Sequence, residues 1–391
     1  MRALRFLTAG ESHGPSLTVT LDGLPAGLEI DLESVNKVLR RRMGGYGRGP
    51  RMKIEADCVR VLAGIRHGRT LGSPVALSIE NKDHIHWLDS MSAEPVASGV
   101  KKREVTRPRP GHADLAGALK YNTHDVRDIL ERASARETAA RTAAGALAMQ
   151  FLEQFSIWIV SHVIQVGGAA YPAGQEIGFV DISSLPEDSP LRVVDAELEK
   201  KMMRIIDHAA SDHDTVGGAF EVVAAGVPPG LGSHRHWDTK LDGRLAGALM
   251  SIQAIKAVEI GMGVHGSASR GSEVHDEIYR AGRQKRFTRR TNRAGGIEGG
   301  ITNGAEVRVR AYMKPLSTLR KPLGSVDVKI KQPFKAAVER SDVTAITAAG
   351  VVGEAMVALV LADAFLEKFG GDSLGETYRN FRGYQRQLQK Y

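Results

Sequence analysis

The sequence predicts an α+β protein that forms a single large domain, with long helices packed between antiparallel-rich sheets. Strand-like segments come in groups, and a few long helical segments stand between those groups. No change of composition and no short repeat marks a linker anywhere in the 391 residues. A chain of this length buries enough surface to fold without disulfides or structural metals.

The predicted strands are short apolar segments, several of which alternate between apolar and polar side chains. The clearest alternation places Val307, Val309 and Ala311 on one face of a strand and Arg308 and Arg310 on the other. In chain order the predicted strands are Ser16–Leu21, Met52–Leu62, Pro74–Glu80, Ile157–Val166, Ala219–Gly226, Glu306–Tyr312 and Ser325–Ile330.

The predicted helices are longer segments, one of them rich in alanine, and two begin after a capping residue, Asp31 or Ser341. The segment Thr344–Phe365 is long enough to span a membrane, but Glu354 and Asp363 interrupt it, so we predict a buried core helix. In chain order the predicted helices are Leu32–Arg42, Asp125–Phe155, Asp195–Ala210, Thr239–Lys256 and Asp342–Phe369.

The composition is that of an ordinary globular protein, with 42% hydrophobic and 25% charged residues. The single cysteine, Cys58, excludes a disulfide within the chain and any metal site built from several cysteines. Glu11 and His13 closely follow the short apolar start, which argues against a secretory signal and predicts a cytoplasmic protein. A net charge of +8 predicts an anionic partner: nucleic acid, anionic lipid, or a phosphorylated and carboxylated metabolite.

Two glycine patterns match known motifs but fail in their context. The segment 10–14 fits the G-x-S-x-G pattern of serine hydrolases, yet a predicted strand follows it where that motif requires a helix. The segment 261–266 fits the dinucleotide pattern G-x-G-x-x-G, but a poor helix start follows, and Arg286 stands where an acidic residue is required. We therefore predict neither serine hydrolase chemistry nor a Rossmann site.

Arginines cluster beside glycine-rich or helix-forming segments, where guanidinium groups and backbone N–H groups together bind phosphates and carboxylates. Arg132 and Arg136 are four residues apart, which predicts that they share one face of the long helix. Each arginine alone is more often a solvated surface residue, but together they predict an anion site. The clusters are Arg40–Arg42 with the glycine-rich segment 44–49, Arg107 and Arg109, Arg132 and Arg136, the basic run 283–293, and Arg340.

His13 and His112 are the candidate proton donors, because both lie in polar turns rather than on an apolar face. Asp342 stands at a predicted helix start, where the helix dipole and Arg340 would keep it ionised but make it a weak base. The pairs His84/His86 and His234/His236 lack a carboxylate at ligand spacing, so we predict no metal site.

These residues belong to motifs that resemble the signatures of the chorismate synthase family. The motifs occur in family order over residues 1 to about 368, which we predict to be one catalytic domain, and the tail 369–391 matches nothing and has no assigned role. They are Gly10–Gly14, Arg107–Asp114, Arg132–Ala139, His213–Gly218, Ala294–Gly300, Lys314–Pro315 and Arg340–Ala345.

The resemblance implies a β-α-β sandwich, a homotetramer and a lyase reaction. The family converts 5-enolpyruvylshikimate 3-phosphate to chorismate and phosphate by an anti 1,4-elimination, which needs reduced FMN without net redox change. The resemblance also makes NADPH a possible reductant of the flavin. More weakly, it implies a nicotinamide cofactor at Arg42 and Arg48.

The resemblance also implies residue roles. His13 would protonate the departing phosphate, His112 would protonate the reduced flavin near N1, and Asp342 would act with flavin N5 in removing the proton at C6 of the ring. The substrate-binding residues would be Arg42, Arg48, Arg109, Arg136 and Arg340. The flavin contacts would be Arg132, Ala133, Ser134, Gln253, Ala254, Gly299, Lys314, Pro315, Leu316, Ser317, Thr318 and Arg340.

Two other function classes stay open at this point. A nucleic-acid-binding protein would explain the charge of +8 and the basic run 283–293, but Phe287 is the only aromatic residue in that run and no stacking platform is visible. A metal-dependent phosphohydrolase would lose its activity on addition of a chelator.

Overall fold

The computed structural model describes residues 3–49, 55–97, 103–281, 286–339 and 342–391. Its strands are β1 (Arg5–Ala9), β2 (Ser16–Asp22), β3 (Val59–Ala63), β4 (Ile65–Arg66), β5 (Arg69–Thr70), β6 (Val75–Glu80), β7 (Trp158–Val166), β8 (Ala169–Ala170), β9 (Gly218–Ala225), β10 (Ile255–Ile260), β11 (Ile278–Ala281), β12 (Arg286–Arg289), β13 (Ile297–Glu298), β14 (Ile301–Thr302), β15 (Val307–Met313), β16 (Gly324–Val326) and β17 (Pro333–Lys335).

The helices include two long ones that lie in the core and a third at the C-terminus. They are α1 (Leu32–Met43), α2 (Asp114–Tyr121), α3 (Arg127–Ala133), α4 (Thr138–Glu153), α5 (Phe179–Ser183), α6 (Ala196–Ser211), α7 (Leu241–Met250), α8 (Gly263–Ser267), α9 (Gly271–Val274), α10 (Ile346–Phe369) and α11 (Leu374–Lys390). Short 3-10 turns cover Lys82–His86, Ala135–Glu137 and Trp237–Thr239.

Two antiparallel sheets enclose a layer of helices, which confirms the predicted α+β sandwich. One sheet has the strand order β1-β2-β6-β3, and the other has the order β10-β15-β9-β7-β8. Helix α4 packs on β2 and β6 of the first sheet, and α10 packs on β7 and β9 of the second. Helices α1 and α7 fill the same layer beside them.

Helix α10 is apolar around its whole circumference, as expected for a helix with neighbours on all sides. It is long and apolar enough to cross a membrane, but 94% of its most apolar window is buried inside the protein. The prediction of a buried core helix is therefore confirmed. Its two interrupting acids are both ion-paired, Glu354 with Arg41 and Asp363 with Arg244, which removes the cost of burying a lone carboxylate.

The alternation in β15 is confirmed, although its polar face is not exposed to water. Val307, Val309 and Ala311 join the core beneath the sheet. Arg308 and Arg310 on the opposite face instead bind Glu221 of β9, at 2.9 and 2.8 Å. The buried carboxylate of Glu221 therefore accepts the hydrogen bonds that these two arginines would otherwise donate to water.

The prediction of one helix over Asp125–Phe155 is wrong, because the chain breaks at Ser134. Ser134 has an extended backbone (φ −62°, ψ 140°), and its hydroxyl accepts the N–H of Arg136. No glycine or proline lies at the break. The break is favoured instead by the burial of the Arg136 side chain, which binds Asp57. For the same reason Arg132 and Arg136 do not share a helix face.

The helix predicted over Thr239–Lys256 is also too long. Helix α7 ends at Met250, Ala254 takes a positive φ of 67°, and Ile255 then begins β10. By composition the segment Ile255–Ile260 could form a helix or a strand, and it forms a strand because it pairs with β15.

Other boundaries differ less. The strand predicted over Met52–Leu62 begins only at Val59, as β3, and residues 51–54 lie outside the described range. The strand predicted over Ser325–Ile330 ends at Val326. Helix α10 begins at Ile346, so Asp342 precedes the helix instead of standing in its first turn, and the predicted cap Ser341 lies outside the described residues. β1 and β10 were not predicted.

The tail without an assigned role forms helix α11. Its N-terminus carries a capping box made by Ser373 and Glu376. Phe381 enters the core at the end of α10, with its ring centre 5.3 Å from that of Phe365 and 5.4 Å from that of Phe155.

Candidate active site

Most of the predicted site residues line one cavity of about 430 Å³. They come from loops and helix ends throughout the chain and meet at one end of the sandwich. The predicted residues on this cavity are His13, Arg42, Arg48, Arg109, His112, Ala133, Ser134, Arg136, Gln253, Ala254, Lys314, Leu316, Ser317, Thr318 and Asp342.

His13 lies in the turn between β1 and β2 and is buried at the cavity edge. Its Nδ1 lies 2.9 and 3.0 Å from the two carboxylate oxygens of Glu131, a residue of α3, and its backbone N–H donates to the same carboxylate. Its ring stacks on Trp87 with the centres 4.0 Å apart. Burial raises the pKa of Glu131, but hydrogen bonds and charge from His13 and a bond from Arg127 outweigh it and hold that pKa below its usual value.

His112 stands in a similar arrangement, on the loop that precedes α2. Its Nδ1 makes a very short hydrogen bond to Asp114, the first residue of α2. Arg109 donates to both oxygens of the same carboxylate, at 2.8 and 3.1 Å. Burial raises the pKa of Asp114, but the bonds from His112 and Arg109 lower it by more, so this carboxyl stays ionised at neutral pH.

Arg136 and Arg42 share a buried carboxylate at the same cavity. Nη1 of Arg136 lies 2.6 and 2.7 Å from the two oxygens of Asp57, and Nη1 of Arg42 lies 3.4 Å from one of them. Burial, opposed by Asp57 and reinforced by the charges of Arg136 and Arg48, lowers the pKa of Arg42 to about 9. A second buried carboxylate, Glu55, lies 3.6 Å from Nη2 of Arg136, so the two arginines are held beside two acids.

The glycine-rich segment after α1 brings Arg48 to Asp342. Gly47 has a φ of 81°, and a Cβ there would lie 2.8 Å from Ile206 and 3.1 Å from Thr344, so only glycine fits. Nε of Arg48 lies 3.3 Å from Asp342, whose carboxylate also accepts the N–H of Gly49 at 2.6 Å. Burial lowers the pKa of Arg48.

Most of the residues predicted to contact a flavin line the same cavity as the arginines, and one of them, Thr318, accepts a hydrogen bond from Arg109 at 2.9 Å. Ser134 stands at the break between α3 and the following turn, and Lys314 leaves the end of β15 and donates to the carbonyl of Gly111 at 2.9 Å. Burial and the neighbouring charge of Lys256 lower the pKa of Lys314. Oε1 of Gln253 is buried and has no hydrogen-bond partner among the described residues.

Four predicted residues are not part of this lining. Arg132 faces a neighbouring cavity of about 810 Å³ and donates to the carbonyl groups of Thr8 and Gly10. Gly299 lies at the tip of the β13–β14 hairpin, and Pro315 is flanked by two lining residues without being one. Arg340 lies outside the described residues.

Sequence reasoning missed the acidic partners of the site. Asp114 follows His112 by two residues and Glu131 precedes Arg132, so the motifs themselves contained the signal, whereas Asp57 carries none. His84, which we considered from the sequence only as a metal ligand, also contacts the site: its Nδ1 lies 2.9 Å from the carbonyl oxygen of His13.

Residues 283–285 of the basic run lie outside the described residues, and residues 287–293 lie elsewhere in the molecule. Arg289 pairs with Glu298 at 2.5 Å, and the guanidinium carbon of Arg290 lies 4.1 Å from the ring centre of Tyr279. Both line a different, larger groove beside α11. The charge of Arg289 is thus balanced by the carboxylate of Glu298. The alternative of a nucleic-acid-binding protein has no support.

Comparison with known proteins gives one family. The family model described as chorismate synthase matches residues 4–366. A chorismate synthase of Solibacter usitatus is 56% identical over 388 residues, covering 99% of this chain and 100% of that protein. One of Brevibacillus brevis is 52% identical over 389 residues, with coverage of 99% and 100%. A crystal structure of chorismate synthase is 41% identical, covers both chains completely and superimposes with a TM-score of 0.80.

Proposed function

This chain belongs to the chorismate synthase family, and we propose that it acts as a carbon–oxygen lyase on 5-enolpyruvylshikimate 3-phosphate, releasing phosphate by 1,4-elimination. The observation that carries the proposal is the convergence of two carboxylate-held histidines, four arginines and Asp342 on one cavity. Those residues come from distant parts of the sequence, so their meeting is a property of the fold.

The arginines suit a substrate that bears one phosphate and two carboxylates. Arg42, Arg109 and Arg136 are buried, and buried guanidinium groups bind such oxygens strongly because little water competes. Burial lowers the pKa values of Arg42 and Arg48, because their charged forms are poorly solvated inside the protein. A bound anion would stabilise these charged guanidinium groups.

The residues present also fit reduced FMN, which we propose as the cofactor. The unpartnered Oε1 of Gln253 is an acceptor for an N–H of a flavin ring, and Lys314, Ser317 and Thr318 offer donors for its polar oxygens. When bound, reduced FMN supplies the electron density that helps the C–O bond to break, and it is restored at the end of the turnover.

The chain itself moves protons and orients the substrate. His13 gives a proton to the phosphate as its C–O bond breaks, and His112 holds a proton at the flavin side of the cavity. Asp342 receives the proton that leaves C6 of the ring. Arg48 and the N–H of Gly49 hold its carboxylate in place for that step.

We further propose a cytoplasmic homotetramer, with NADPH as the electron source for the flavin. Large apolar side chains on the surface support self-association, among them Leu7 and Trp237, which are 80% and 78% exposed. Sedimentation of the purified protein measures the assembly directly.

The test of the reaction is phosphate release without oxygen. Purified protein mixed with the substrate and reduced FMN should release phosphate, and the same mixture with oxidised FMN should not. A chelator should leave the rate unchanged, whereas it would silence a metal-dependent phosphohydrolase. Equal phosphate release in the absence of any flavin would show that the proposal is wrong.

A further inference from the structure

His13 is connected to Arg127 through Glu131, which the family resemblance did not assign a role. Nη1 of Arg127 donates to Glu131 Oε1 at 2.9 Å, and both oxygens of that carboxylate lie within 3.0 Å of His13 Nδ1. All three residues are buried, and Arg127 and Glu131 are one turn apart on α3.

Trp87 fixes the plane of the same ring. It stacks on His13 with an angle of 28° between the ring planes, and the guanidinium carbons of Arg103 and Arg127 lie 4.2 and 4.9 Å from its ring centre. Its indole N–H donates to Asp83 at 3.3 Å. Rotation of the His13 ring would therefore break a stacking contact and two close hydrogen-bond contacts together.

The ionised state of Glu131 decides which nitrogen of His13 is available. An ionised carboxylate only accepts hydrogen bonds, so Nδ1 of His13 must carry a hydrogen whether the ring is neutral or charged. The second nitrogen, Nε2, is then the one that can lose a proton. Burial raises the pKa of Glu131, but the contacts with His13 and the hydrogen bond from Arg127 hold it below its usual value, so Arg127 favours this state.

We propose that Glu131 is a positioning residue of the elimination, which keeps the Nδ1 proton in place so that His13 delivers the Nε2 proton to the leaving phosphate. The inference rests on the proposed function. In that step the C–O bond breaks, the Nε2–H bond breaks and an O–H bond forms on the phosphate oxygen. His13 is left neutral with its remaining hydrogen on Nδ1, shared with Glu131.

Glu131→Gln tests this role, because glutamine keeps the size of the side chain but loses its charge and can donate to Nδ1. We expect kcat to fall about 10²-fold while KM changes less than about threefold, since substrate anions bind to the arginines. The pH dependence of kcat should also change, because the variant removes one of the two carboxylate charges beside the ring and leaves only Asp83, which lies 4.0 Å from Nε2. Glu131→Asp keeps the charge, so its kcat should be about tenfold higher than that of Glu131→Gln.

A double variant separates a positioning role from general damage. In a His13→Ala background, Glu131→Gln should change kcat by less than about twofold, because Glu131 acts only through His13. Glu221→Gln is the matched control: Glu221 is also buried, lies 3.2 Å from a histidine nitrogen of His162 and binds two arginines, but it is not on the cavity. The Glu221→Gln variant should have the same kcat, and the same pH dependence of kcat, as the wild-type protein. Thermal unfolding of each variant checks that it is folded.

The outcomes distinguish the two proposals. If wild-type protein releases no phosphate with reduced FMN, the proposed function fails. If the wild-type protein is active and folded Glu131→Gln keeps its kcat and pH profile, or if the two changes lower kcat multiplicatively, the positioning role of Glu131 is refuted. If Glu131→Gln does not fold, Glu131→Asp decides instead: it should lower kcat in the wild-type background and change it by less than about twofold in the His13→Ala background, and any other result refutes the positioning role.

Discussion

At the scale of single residues, the site repeats one arrangement twice. His13 is held by Glu131 and Arg127, and His112 is held by Asp114 with Arg109. In each case the carboxylate lies on a helix and the histidine on a loop, so the more rigid element positions the more mobile one. Both rings keep Nδ1 occupied, which leaves each with one nitrogen for chemistry.

Removal of either ring should slow turnover without unfolding the protein. We expect His13→Ala and His112→Ala each to lower the rate of phosphate release by about 10² to 10⁴-fold, the usual effect of a lost proton donor. His208→Ala, which removes an exposed ring at the end of α6, is the control and should not change the rate. An unchanged rate for His13→Ala or His112→Ala removes that residue from the mechanism.

At the scale of elements, breaks in helices build the cavity. Arg136 reaches Asp57 because α3 stops at Ala133 and α4 starts at Thr138, with a short turn between them. Helix α4 can then run deep between the sheets because its side chains are small. Where it crosses α10, a Cβ on Gly145 would lie 2.5 Å from the Cα of Ala355 and 2.8 Å from its carbonyl oxygen.

This crossing makes a prediction about stability. Alanine is normally the better residue inside a helix by about 1 kcal/mol, but at Gly145 the added methyl meets backbone of α10 that cannot move alone. We expect Gly145→Ala to lower the free energy of unfolding by about 1–3 kcal/mol, measured by urea denaturation. Gly383→Ala in α11, where a Cβ meets nothing within 4 Å, should raise it by up to about 1 kcal/mol. Opposite signs would contradict the packing described.

At the scale of the whole molecule, acid sensitivity should come from buried carboxylates. The pKa values of Asp114, Glu131 and Glu221 all lie below their usual range: burial raises each of them, but hydrogen bonds and neighbouring positive charges outweigh it. Such a group binds its proton less readily in the folded state than in the unfolded chain. The stability that it contributes is therefore complete above the unfolded pKa of about 4 and is lost as the pH falls through the folded values.

The matching measurement is the free energy of unfolding at several pH values between 7 and 3. We expect it to be nearly constant down to about pH 5 and to fall steeply below that. Asp114→Asn should reduce the slope, and Glu29→Gln, which removes an exposed carboxylate, should not. A protein that becomes more stable on acidification would show that these carboxylates do not control its stability.

Much of the architecture follows from the sequence alone. The alternation of Val307, Val309 and Ala311 defines the buried face of β15, and the apolar length of α10 defines a core helix. The predicted cap Asp31 begins its helix in the structure, because a capping side chain acts on backbone only a few residues away. The motifs around His13, His112 and Arg136 likewise contain ten of the 25 residues that line the cavity.

Other features depend on contacts between distant residues, which no local pattern records. The break at Ser134 exists because Arg136 is more stable against Asp57 than along a helix, and β10 is a strand because β15 lies beside it. The partnership of Glu131 with His13 joins residues 118 positions apart. The sequence alone thus determined the fold class, several of the helices and strands, and the chemistry available. The tertiary structure decided where the helices break and which charges meet, because buried charges are stable only beside partners that folding brings to them.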